Sequence, residues 1–158
     1  MRLLIIYCTV LILANIISCR NQSESYDIKG KWYSFSRKDG YVEYYINSDT
    51  VHPYMHVMGN MFPQKYIIKG DTIQYFHSDY KATIINNTDS IFIFNSNSRS
   101  DTLIRLNDTI LTFFEIKNEN DSIIKEFHSN FKERAHISWI KHGYITEEEL
   151  KKSFLDKN

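Results

Sequence analysis

From Lys29 to Ile116, short aromatic and β-branched runs alternate with turn residues at intervals of about ten. That spacing confines the chain to an all-β sandwich or barrel. The runs are KWYSFSR (31–37), YVEYYIN (41–47), QKYIIK and DTIQYF (64–76), YKATII (80–85), SIFIF (90–94), TLIRL (102–106) and TILTFFEI (109–116). Asp39-Gly40 and Gly70-Asp71 fall between runs and mark hairpin turns. Up to about nine strands fit between residues 31 and 116, and their short connections predict an antiparallel meander of sequence neighbours. A meander this long must close or fold over to bury its aromatic face.

A tripeptide of Asp, then Ser or Thr, then an aliphatic residue recurs six times, beginning at Asp49, Asp71, Asp89, Asp101, Asp108 and Asp121. It reads as punctuation, with the aspartate bonding its own backbone in a turn and the aliphatic residue opening the next strand. Calcium ligation by Asp89, Asp101, Asp108 and Asp121 is the minor reading, because no loop has EF-hand spacing. Asn-x-Ser/Thr triplets at Asn21, Asn86, Asn107 and Asn120 are likewise turn chemistry.

The tail changes period. Ile124, Phe127, Phe131, Ala135, Ser138, Trp139 and His142 recur at three- and four-residue steps, one helical stripe. Gly143 then offers a left-handed cap, and Thr146 with Glu149 forms a capping box for a second short helix. The expected unit is a helical hairpin packed on, or plugging, the β body. Residues 121–126 are compatible with helix or with one more strand.

The first nineteen residues are an address. Arg2 precedes an apolar run from Leu3 to Ile17, which as a helix spans about 22 Å, short of a ~30 Å hydrocarbon core. A small residue, Ser18, then precedes Cys19, so the segment reads as a secretory signal rather than a membrane span. Ile16-Ile17-Ser18-Cys19 resembles a bacterial lipoprotein lipobox, with Ile17 bulkier than that position usually carries. The resemblance implies that Cys19 is lipidated, heads the mature chain and holds it on a membrane, with more than one acyl chain giving stable attachment. The expected division is a signal peptide over 1–18, the lipidated cysteine and a polar tether over 19–28, a β domain over 29–118 and the helical hairpin over 119–158. Cell envelope is the expected location, with the outer membrane favoured and the domain facing the periplasm or the cell surface.

Loss of Arg2 with the signal leaves 18 basic against 19 acidic side chains, so nothing argues for a nucleic-acid partner. Cys8 also leaves with the signal, so the exported domain has no disulfide and rests on its core.

Gly30-x-Trp32, opening the first strand, resembles the G-x-W motif of lipocalins and their bacterial relatives. YIIKGDTIQYF and TLIRLNDTILTFFEI are similar to hairpins of small lipocalin-like lipoproteins, over roughly residues 28–116. No companion T-D-Y-like motif is present, and the tail is longer than that family needs. The resemblance implies an up-and-down antiparallel barrel enclosing a small apolar ligand; a β-sandwich is the alternative.

Candidate sites follow. Trp32, Tyr44, Tyr66 and Tyr75 are candidate ligand-binding residues, Trp32 being expected chiefly to close the barrel floor. Most of the other aromatic residues are expected to fill the core. In HPYMHVMGNMF, His52, His56 and Met58 with Met55 and Met61 offer soft ligands of the kind that select copper(I). On a strand Met55 would face away from His52, and the plainer reading is a loop covering a barrel mouth. Glu133-x-x-His136 is half of a di-metal motif and reads as a solvated helix face. No G-x-S-x-G, H-E-x-x-H or phosphate-cradling loop is present, and no cofactor is implied. The leading expectation is a non-enzymatic, lipid-anchored protein that binds a small apolar ligand. The alternative is an interaction module or inhibitor with an envelope protein partner, engaged through an exposed patch around Trp139.

Overall fold

The computed structural model describes residues 26–55, 58–76, 78–96, 99–116 and 120–155. Nine strands form one antiparallel sheet: β1 (Gly30–Ser36), β2 (Gly40–Ile46), β3 (Thr50–Met55), β4 (Gly59–Asn60), β5 (Gln64–Lys69), β6 (Thr72–Tyr75), β7 (Lys81–Asn87), β8 (Ile91–Asn95) and β9 (Ser100–Arg105). Eight of them follow one another round a ring that β1 closes by pairing with β2 on one side and β9 on the other, while β4 adds only a short ladder to β3. Closure is sealed where Trp32 faces Arg105 and Tyr33 faces Ile104. The sheet is therefore a closed up-and-down barrel rather than a sandwich.

Turn chemistry sets the register. In the β1–β2 hairpin, Ser36 Oγ accepts the Asp39 N–H at 2.9 Å, and Gly40 takes φ +70°, which a side chain would resist. The β5–β6 turn is the two-residue Gly70-Asp71 link, with Lys69 facing Thr72. Both hairpins stand where the Asp-Gly and Gly-Asp pairs predict them. At 47–50, however, the turn is organised by Asn47, whose Oδ1 accepts from the N–H groups of Asp49 and Thr50. Asn107 and Asn120 act the same way on Thr109 and Ser122. At these three of the six tripeptides the punctuating side chain is thus an asparagine one or two positions before the aspartate, not the aspartate itself.

TILTFFEI is not a strand. By residue 106 the ring is complete and no edge remains to pair with, so the chain instead crosses the outer wall and ends in a 3-10 turn, Phe113–Glu115. Lys31, pointing outward from β1, fastens it by donating to the carbonyls of Asp108 (2.7 Å) and Ile110 (2.8 Å) and pairing with Glu115 at 2.7 Å. Burial opposes ionisation of Glu115, but the bonds from Lys31 and Thr112 outweigh it and hold the carboxyl below its ordinary range. The eighth barrel strand is β3, from a segment whose plainer reading is a mouth-covering loop. Pro53 is tolerated there because β3 has already parted from β5, which it meets only at Thr50 and Val51.

Alternation along each strand divides the barrel. Inward residues near the N-terminal end of β1 pack into a floor: Ile28, Trp32, Ile46, Val51, Tyr66, Ile73, Ile84 and Phe92 are all buried. Trp32 is 1 % exposed and donates Nε1–H to the Ile28 carbonyl at 2.8 Å. The Arg105 guanidinium lies 4.8 Å over its ring and donates to the Lys29 carbonyl.

Outside the wall lies a second core. Helix α1 (Asp121–Lys141) includes residues 121–126 and places Phe127, Phe131 and Ala135 on Tyr41 and Tyr54, which point outward from β2 and β3. Tyr54 meets Phe127 and Phe131 edge-on at 4.9 Å. Thus α1 packs on the barrel and does not plug it. Gly143 at φ +70° ends it, and the turn beyond lays His142 and Tyr144 against Phe35. Helix α2 (Glu147–Leu155) begins at the expected capping box, with Glu149 Oε2 accepting from the Thr146 N–H at 2.8 Å.

Candidate functional site

The half of the barrel opposite the floor is hollow. Several of the side chains that follow the floor residues along the same inward faces are smaller or more polar, although Met55 and Phe94 are neither. Ser34 follows Trp32 and Tyr44 precedes Ile46, while Pro53 and Met55 follow Val51; Tyr75 follows Ile73 and Asp101 precedes Leu103. They leave a cavity of about 400 Å³ that opens between the β1–β2, β6–β7 and β8–β9 connections. That volume lies within the range of small-molecule sites. Val42, Met55, Met61, Phe94 and Leu103 supply its apolar wall.

The polar wall is linked. Arg99 sits at the mouth between two carboxylates, donating from NH1 to Asp39 at 3.0 Å and from Nε to Asp101 at 2.8 Å. Asp39 also accepts from Ser36 Oγ, and Asp101 from the Tyr80 hydroxyl at 3.2 Å. Burial, partly offset here, tends to destabilise the Arg99 charge, but the pairs with Asp101 and Asp39 outweigh it and raise its pKa. The Tyr44 hydroxyl pairs with Ser34 Oγ at 3.1 Å. The Tyr75 hydroxyl makes no hydrogen bond to any described residue. Burial pushes the pKa of Tyr44, Tyr75 and Tyr80 up, so all three stand in the wall as neutral hydroxyls. The site can bury an apolar body and hold polar atoms at fixed points. Among the described residues its lining has no histidine, cysteine or lysine.

Of the four ligand-binding residues expected, the structure brings Tyr44 and Tyr75 together in this cavity. Trp32 and Tyr66 belong to the floor, where the Tyr66 hydroxyl donates to the Asn47 carbonyl at 2.8 Å. Sequence reasoning missed Asp39, Arg99 and Asp101. Asp101 reads as turn punctuation, yet strand alternation puts it on the inward face with Leu103.

The His/Met segment is divided. His52 points outward from β3 against Phe114 (4.7 Å), with Nε2 at 3.0 Å from Thr50 Oγ1, and burial lowers its pKa. Met55 and Met61 line the cavity on the other side of the wall, and Met58 is exposed. His56 and Cys19 lie outside the described residues. Among the described residues no group of three or more His, Cys, Asp or Glu is placed to hold a metal ion. Glu133 is exposed on α1 and His136 is half-buried beside Trp139. No helix among the described residues is long and apolar enough to cross a membrane. Set against family models, curated proteins and solved structures, the chain matches none.

Proposed function

We propose that this chain is a lipid-anchored protein of the cell envelope, held in the outer membrane through Cys19, that binds a small, largely apolar ligand inside its barrel without transforming it. The observation that carries this reading is the hollow upper half of a barrel whose lower half is densely filled. A protein that needed the barrel only as a scaffold could fill both halves, because the interior of an eight-stranded barrel is about wide enough for side chains alone to occupy. The alternative, an interaction module, draws on an exposed patch around Trp139; that side chain is half-buried and packs beside His136.

Purification from membranes in mild detergent followed by native mass spectrometry tests the reading. The mature chain should carry acyl mass on Cys19 and a second, non-covalent adduct that denaturation releases. A chain without acyl mass refutes the anchor. A chain that neither retains nor takes up any apolar compound refutes the ligand.

A further inference from the structure

Among the described residues three charged side chains line the cavity, and their sum is negative. Asp39 and Asp101 share a single cation, Arg99. The guanidinium is already engaged by both carboxylates, so an incoming anion would have to displace one of them and would meet the other. A cation meets the surplus. The exposed turn residues Arg37 and Lys38 lie beyond the lining, where water and salt screen them. The charged cluster sits at the mouth, where Phe94 faces Asp101 across the β8–β9 ladder, and Leu103 lies one inward-facing position deeper, opposite the floor residue Phe92. The hydroxyl-bearing residues Tyr44, Tyr75 and Tyr80 also line the cavity, which can therefore meet a polar atom as well as bury carbon.

We propose that the barrel selects an amphiphile with a protonated amine or other cationic head, seated beside Arg99 against the outer oxygens (Oδ1) of Asp39 and Asp101, since Arg99, Ser36 and Tyr80 all bond to Oδ2, and discriminates against carboxylates of the same length. This rests on the ligand-binding reading above and adds the head-group class. A cavity of about 400 Å³ is the size of a small-molecule site, and dodecyl compounds are suitable probes of it.

The test uses the mature chain, an uncharged fluorescent probe (N-phenyl-1-naphthylamine), and dodecylamine, dodecanol and dodecanoate as competitors near neutral pH. Dodecylamine should displace the probe at about tenfold lower concentration than dodecanoate, with dodecanol between them. Converting both carboxylates (Asp39→Asn with Asp101→Asn) leaves Arg99 unpaired and should turn the preference toward dodecanoate. Arg99→Gln should widen the preference for the amine, and it carries the test if the double variant does not fold. Equal displacement by amine and carboxylate, or an amine preference that survives in a folded double variant, overturns the head-group assignment and leaves ligand binding standing. A probe that does not bind at all overturns both.

Discussion

Glu43 shows how one residue can join two layers. It is 2 % exposed, yet it is charged and points out of the barrel toward α1. There Arg134 reaches it with two bonds, Nε at 2.7 Å and NH2 at 3.2 Å, and the Tyr41 hydroxyl donates at 2.9 Å. A carboxylate so enclosed is tolerated because every partner is present, and removing it strands a half-buried guanidinium. Glu43→Ala should therefore lower the free energy of unfolding by about 3–5 kcal/mol, read from the urea midpoint. Replacing the whole network at once (Glu43→Met, Arg134→Met and Tyr41→Phe) should cost less than that single change. A smaller loss from Glu43→Ala than from the triple variant would contradict the stranded-charge account. Burial also pushes the Tyr41 pKa up, with the Glu43 charge reinforcing it, so the phenol stays a donor.

At the scale of elements, Gly30 explains why the first strand opens as it does. Its φ of +122° is a conformation side chains resist, and a Cβ there would lie 2.7 Å from the Arg105 guanidinium. The glycine leaves room for Arg105 over Trp32, so floor and ring closure depend on the same contact. Gly30→Ala should cost about 1–3 kcal/mol, measured by thermal or urea unfolding. Adding Arg105→Ala should not restore stability, because the backbone strain remains and the Trp32 contact is lost; full recovery would contradict this. Much of the element order was legible because two-residue alternation and turn residues are local signals. What was not legible depended on closure. TILTFFEI has the composition of a strand but arrives when no edge is free, whereas Thr50–Met55 carries a proline and still takes a place in the ring. The repeated Asp tripeptide misleads for the same reason: it opens β3, β6 and β8, falls inside β9, sits in a turn at Asp108 and starts α1 at Asp121. The mouth cluster was hidden because Asp39, Arg99 and Asp101 meet only when β1 closes against β9.

At the scale of the molecule, the chain divides labour along the barrel axis. Large rings and branched side chains fill one end, small and polar ones leave the other open, and an outer layer braces the β1–β3 wall through Lys31, Glu43 and the α1 stripe. A hollow half must be carried by what surrounds it, which is consistent with so much burial being concentrated in the floor and under α1. Tyr44 and Tyr75 were legible as candidate lining residues from the aromatic richness of the strands, whereas the volume they enclose depends on all eight strands together. The most direct test is titration of the protein with the uncharged naphthylamine probe, before and after Ser34→Phe, which projects a ring into the cavity from a position outside the floor. The account predicts one saturable site per chain in the native protein, and its loss in a Ser34→Phe variant that unfolds as cooperatively as the parent. Unchanged binding in that variant would place the ligand elsewhere and contradict the account.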